Sequence, residues 1–271
     1  GASLSLAVMG LLMGVLPWRE AYVVTSGLGA ASGLLVVPLL GRSRDEAAMG
    51  GFVSLRRAMW VDPAAFRNRA SLLVIAAYTL HAWELYVART WLAPLLVAAL
   101  TAKGAESVEA TTLAAGMAAL MLGAGTVGPF VGGVLSDRLG RTGAAALIFF
   151  VSGACSGVIG WLVGAPWALL VAVGLVYGFA IAADSAIYST AVTEVSAPGL
   201  LGSTMAVQAF SAFSAGVAAP VAVGWVLDLA GPGVRWGLAF LVAAAAALVA
   251  IPLLLFLRRL PEASSMARGR R

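Results

Sequence analysis

The sequence predicts an all-α polytopic membrane protein, and three observations predict it. Of 271 residues, 61% are hydrophobic and 11% charged, whereas a soluble globular domain carries about 25% charged residues. Apolar runs recur at 1–16, 22–40, 71–100, 111–133, 143–163, 167–190, 203–227 and 234–257, and a helix of about 20 apolar residues crosses a ~30 Å hydrocarbon core. Between these runs the basic residues fall unequally on alternate sides.

The run 1–16 is about 24 Å long at ~1.5 Å per residue. It starts with Gly1 and has no flanking charge, so it reads as a helix whose beginning has been cut. A signal peptide would need a basic region in front and a small-residue cleavage site behind. The run 22–40 follows a polar turn at Pro17, Trp18 and Arg19. Residues 41–70 place Phe52, Met59 and Trp60 beside Arg56 and Arg57, a composition suited to a strut on the membrane surface. The run 71–100 carries most of the polar groups found inside any span. Between 111–133 and 143–163 lies the segment Gly133-Val134-Leu135-Ser136-Asp137-Arg138-Leu139-Gly140-Arg141. Its glycines supply freedom for a sharp turn, and its charges can be taken up by water or an opposing helix end. The remaining runs, 167–190, 203–227 and 234–257, lead into a basic tail at 258–271.

Counting eight spans, Arg42, Arg44, Arg56, Arg57, Arg67, Arg69, Arg138, Arg141, Arg258, Arg259, Arg268, Arg270 and Arg271 share one side, against Arg19, Lys103 and Arg235. Positive charge is retained inside. The loops 41–70 and 134–142, the tail and both chain ends are therefore expected in the cytoplasm, with the chain integral to the cytoplasmic membrane.

Small residues at four-residue spacing, in Gly10/Gly14, Gly29/Gly33, Gly128/Gly132, Gly153/Gly157 and Gly174/Gly178, let helices approach closely in lipid. Pro38, Pro94, Pro129, Pro220 and Pro252 fall within spans, where proline can kink a helix.

Composition also excludes functions. The net charge of +5 sits in short loops and reads as topology, so no nucleic-acid partner is expected. Cys155 is the lone cysteine and His81 the lone histidine, which leaves no disulfide, thiolate cluster or paired-histidine metal helix. With no nucleophile elbow and no phosphate-binding loop, the chain is read as no enzyme, with no cofactor and no metal.

Polar groups inside hydrocarbon are costly and mark functional candidates. In the run 71–100, Tyr78, His81, Glu84, Arg89 and Trp91 fall within about 160° of the helix circumference, as one wall of a cavity. Counted from Ser71, His81 lies ~15 Å deep and Glu84 ~20 Å, near the midplane, where secondary transporters bind their substrates. Both are candidates to carry a proton or to tie helices together. Glu84 and Arg89 are ~140° apart and need separate partners. Arg89 is expected to snorkel to the far interface, and Trp91 to sit in the interfacial belt. Asp184, ~26 Å along its run, is expected near the cytoplasmic surface as a solvated or gate-side carboxylate. Tyr177 is a candidate to line a pathway, and Gln208, with Phe210 and Phe213 nearby, a polar contact near the inner mouth.

The nine-residue segment at 133–141 resembles the Asp-Arg cytoplasmic hinge of the major facilitator superfamily of secondary transporters, with Ser136 in place of the usual alanine and Thr142 where a second basic residue is common. Trp18, Arg19 and Tyr22, followed by Gly27 and Gly29, resemble that family's external turn between helices five and six. Gly128, Pro129, Gly132 and Gly133 resemble the end of the proton-antiporter motif, displaced here from the fifth helix to the eighth. The resemblance implies a twelve-helix transporter of which helices five to twelve are present. Residues 1–40 are then the last two helices of the N-terminal half, 41–70 the loop between halves, 71–257 the C-terminal six-helix half and 258–271 the tail. The missing N-terminal helices would be the partner for this half. The implied activity is alternating-access transport of a small solute, coupled to protons; a receptor or scaffold of the same fold is the other reading. Gly133, Asp137, Arg138, Gly140 and Arg141 would form the cytoplasmic gate hinge, with Asp137 docking near the start of the first span.

Overall fold

The computed structural model describes residues 2–47 and 61–270, and among these every regular element is helical. In chain order they are α1 (Ala2–Met13), α2 (Trp18–Ala47), a short turn of helix at Pro63–Arg67, α3 (Arg69–Thr101), α4 (Ser107–Ala124), α5 (Gly128–Leu139), α6 (Arg141–Ile159), α7 (Trp167–Ala183), α8 (Ser185–Val195), α9 (Leu201–Leu229) and α10 (Arg235–Leu257). Six spans long and apolar enough to cross a membrane come from these, namely α3, α4 with α5, α6, α7 with α8, α9 and α10. All six fall between Arg69 and Leu257. The first of the eight expected spans is short: α1 has 12 residues, about 18 Å of helix. By contrast α2 runs to Ala47, past the expected end at 40. The surface strut expected at Phe52, Met59 and Trp60, with Arg56 and Arg57, lies outside the described residues.

Two spans are interrupted, each for a local reason. A tight turn at Gly125–Val127 separates α4 from α5, and Pro129 falls in the first turn of α5, where its missing N–H costs nothing. Pro129 therefore starts a helix instead of kinking one, while Pro94, Pro220 and Pro252 lie inside theirs. Between α7 and α8 the break falls on Asp184, which ends one helix and begins the next. Asp is poor in helix interiors because its carboxylate competes for nearby backbone groups.

The spans pack through small side chains. An added methyl at Gly10 would come 2.7 Å from the Ala115 Cβ, and methyls at Gly132 and Gly178 would overlap the carbonyl oxygens of Ala183 and Met121. At Gly153 the neighbour is Ala247. Without a hydrophobic drive in lipid, this backbone proximity supplies the dispersion that holds helices together. The expected pair Gly29/Gly33 differs, since open space surrounds both.

Loop contacts sort the bundle into two ends. At the hinge end, the Asn68 Nδ2 donates to the Val195 carbonyl at 2.7 Å, and the Asp62 N–H to the Ser203 hydroxyl at 2.9 Å. At the far end, the Lys103 ammonium donates to the Ala165 carbonyl at 2.7 Å.

Candidate functional site

Two polar constellations stand out in this apolar bundle. The first is buried in its interior and is built on one turn of α3. His81 is 2% exposed and Glu84 1%, and three-residue spacing puts both on neighbouring positions of the helix surface. The His81 Nδ1 lies 2.9 Å from the Asp184 Oδ1, and its Nε2 lies 3.1 Å from the Ser185 hydroxyl. The carboxylate approaches the ring without hydrogen-bond alignment, for Oδ1 has no hydrogen-bond partner, and the contact is an ion pair only when the imidazole is protonated. Tyr78 stacks on the imidazole at 5.7 Å between centroids, and Tyr188 flanks it at 5.6 Å. Glu84 turns to α6, where its Oε2 accepts from the Ser152 hydroxyl at 2.9 Å. Glu84 Oε1 and the Tyr177 and Tyr188 hydroxyls make no well-aligned hydrogen bond, though Ser156 lies beside Glu84 and Tyr177, and Asp184 beside Tyr188.

A charge in such a place is tolerated only when paired. His81 and Asp184 pair with each other, while Glu84 has a hydroxyl in place of a counter-charge. The three titratable groups thus come from α3 and from the break in the α7–α8 span, held together by serines of α6 and α8.

Asp184 corrects the sequence reading. A solvated or gate-side position near the membrane surface was expected, and at 2% exposed Asp184 is not solvated. The helix continues to Val195, five residues past the expected end, which leaves Asp184 about 16 Å from that end at ~1.5 Å per residue. Trp91 is half-buried, donating from Nε1 to the Pro220 carbonyl at 3.1 Å and meeting Trp236 edge-on at 6.4 Å. Arg89 is exposed, with its guanidinium 5.8 Å from the Tyr86 ring centroid, clear of Glu84 as the helical spacing implied. Tyr177 is fully buried in apolar core with Leu92 and Phe240, so it lines no open passage in this conformation. Gln208 is buried on α9 with no partner for its Nε2, while Phe210 and Phe213 point outward.

The second constellation is the hinge. A loop over 134–142 was expected, but α5 stays helical to Leu139 and the turn is made at Gly140 alone, with φ of 83°. Gly133 lies inside α5 beside open space and contributes nothing to the turn. Arg141, the first residue of α6, holds the corner together. Its Nη1 reaches the Asp137 Oδ1 at 2.8 Å and the Ser136 hydroxyl at 2.9 Å. Its Nη2 and Nε grip both oxygens of Glu194 on α8 at 2.9 and 3.1 Å. Arg138 is exposed. Asp137 sits at the C-terminal end of α5, where a negative charge opposes the helix dipole, and Arg141 compensates it. Asp137 pairs with Arg141, and α1 packs its Gly10 and Gly14 on Ala115 and Thr112 of α4; the side chains of residues 1–6, where docking was expected, lie outside the described residues.

Glu194, Ser152 and Ser185 escaped sequence reasoning. Glu194 falls just beyond the assigned run, and the only signal for it was an acid on the arginine-rich side. Among the described residues, no group of three or more His, Cys, Asp or Glu could hold a metal ion. No family model matches the chain, and no curated protein matches it.

Proposed function

We propose that this chain is the larger part of a secondary active transporter of the major facilitator type, moving a small solute by alternating access with protons as the coupling ion. The observation that carries the reading is the buried His81–Asp184 pair with Glu84 one helical turn away. Buried ionisable groups inside a membrane bundle are costly to keep and mark ion or substrate pathways. The pair sits at a break in its span, as the polar sites of many transporters do.

The geometry suggests how a proton would act. Asp184 begins α8 and Glu194 lies near its end, ten residues on, about 15 Å away. One short rigid helix therefore joins the buried pair to the Arg141 latch. Protonating Asp184 removes its attraction for His81 and frees that end of α8 to tilt at the break. The other end then pulls Glu194 against Arg141. Each step is a local change in charge that biases a two-state element. In this proposal α1 and α2 are the last two helices of the preceding half, the hinge end faces the cytoplasm, and both chain ends lie there.

The test uses the full-length protein in liposomes holding a pH-sensitive dye. A panel of sugars, amino acids, organic acids and lipophilic cations is added outside, and proton movement is recorded. At least one class should drive proton flux, and Glu84→Gln or Asp184→Asn should abolish it while leaving solute exchange at equilibrium. Solute binding with no proton flux and no uptake from any class would reject transport in favour of a receptor or scaffold.

A further inference from the structure

We infer that the segment after α10 is a strap that fastens the hinge ends of α5, α6 and α8 to one another and holds that end of the bundle shut. That opening of this end matters rests on the transport reading; the fastening itself rests on contacts alone. After a helical turn from Pro261, the segment to Gly269 leaves helical geometry at Met266, Ala267 and Arg268 and lies against the hinge end of the bundle. Its Ala263 and Met266 are fully buried. Met266 packs in one buried apolar cluster with Val74 of α3, Ala145 of α6, Ile187 and Tyr188 of α8 and Leu254 of α10, and is one wall of a small gap among them. Burying Met266 there removes its apolar surface from water.

From this anchor the strap reaches both halves of the hinge. The Ala267 N–H donates to the Glu194 Oε2 at 3.1 Å, so Glu194 takes three donors, one from the strap and two from Arg141. Arg270 donates to the main-chain carbonyl of Asp137, one of the carbonyls left free where α5 ends. A basic side chain is well placed there by charge as well. The strap thus touches the same two residues that Arg141 bridges, around a polar hollow of about 400 Å³ lined by Asp137, Arg141, Glu194, Ala267, Arg268 and Arg270.

The backbone of the strap is under tension at the point of contact. Ala267 and Arg268 hold φ of 47° and 57°, a left-handed conformation unfavourable for residues with a Cβ. Successive non-glycine residues stay there only while surrounding contacts over-determine them. The packing of Met266 in the apolar cluster and the Glu194 hydrogen bond are those contacts. Separation of α8 from α5 and α6 breaks the Glu194 and Asp137 attachments together, and the strained turn then relaxes and withdraws Met266. The strap is therefore a cooperative element, either seated on all three helix ends or released.

The test needs no solute and so stands apart from any failure to find transport. In full-length protein carrying Cys155→Ala, the maleimide labelling rate of Met266→Cys is compared with that of Ser265→Cys, its exposed neighbour. Position 266 should label at least tenfold more slowly, and adding Glu194→Gln with Arg270→Ala should bring the two rates together. Adding Ala267→Gly, which relieves strain and keeps the N–H, should slow labelling at 266 further. Spin labels at Arg138→Cys and Thr193→Cys, on α5 and α8 outside the latch, report the opening. Truncation after Leu260 should shift their distances to longer values. Equal labelling at 265 and 266 in the otherwise intact protein, faster labelling with Ala267→Gly, or unchanged distances after truncation would each overturn the strap.

Discussion

Removal of the Asp184 carboxylate is the perturbation with the largest calculable consequence. At 2.9 Å from the His81 Nδ1, a full ion pair is worth about 6 kcal/mol by Coulomb's law at an effective dielectric of ~20. Most of that offsets the desolvation of two groups taken out of water. The contact lacks hydrogen-bond alignment, so no separate hydrogen-bond contribution is added. The expected net coupling is about 1–3 kcal/mol, within the range seen for residues in direct contact. Losing one partner alone costs more, about 3–5 kcal/mol, because the other charge is left buried and unpaired. Asp184→Asn, His81→Gln and the double variant should be unfolded from mixed micelles with increasing SDS, at a pH where the histidine is charged. Both single variants should be strongly destabilised, and the double variant by less than their sum. A coupling below about 0.5 kcal/mol, the scatter expected for independent sites, would show that the two groups do not support one another and would remove the basis for the lever reading of α8.

Other outcomes follow from single contacts. Gly132→Ala puts a methyl onto the Ala183 carbonyl oxygen and should cost about 1–3 kcal/mol by overpacking, whereas Gly29→Ala, beside open space, should leave stability in the same SDS titration within about 0.5 kcal/mol. Arg141→Lys keeps the charge but loses the two-pronged grip on Glu194, so spin-label distances between α5 and α8 should broaden even though net charge is unchanged. Trp91→Phe removes the hydrogen bond to the Pro220 carbonyl and should cost about 0.5–1.5 kcal/mol. For topology, an impermeant thiol reagent applied to intact cells carrying Cys155→Ala should modify Lys103→Cys and spare Arg67→Cys; the reverse would invert the proposed orientation.

The sequence by itself determined the class of the protein and the rows of residues that meet. Long apolar runs, sparse charge and four-residue glycine spacing act through helix geometry and the cost of polar backbone in lipid, both of which are local properties of the chain. They suffice to place His81 and Glu84 on adjoining positions of one helix, and to predict that Glu84 and Arg89 need separate partners. What they could not supply was the neighbour across the bundle. Asp184 was assigned to the surface because depth was counted along an uninterrupted helix ending near 190, while the real span breaks at Asp184 and ends at Val195. Nor could these local properties supply the Pro220 carbonyl that the Trp91 N–H faces. Gly133 was given the turn that Gly140 makes alone, since two glycines in one short polar segment look equivalent until φ is known. Glu194 and the strap at Met266 and Ala267 left the weakest trace, because a pairing over 53 or 73 residues of chain has no period or spacing to betray it. Those partners are decided only by the tertiary fold, where helix tilt, breaks and packing choose which buried charge meets which.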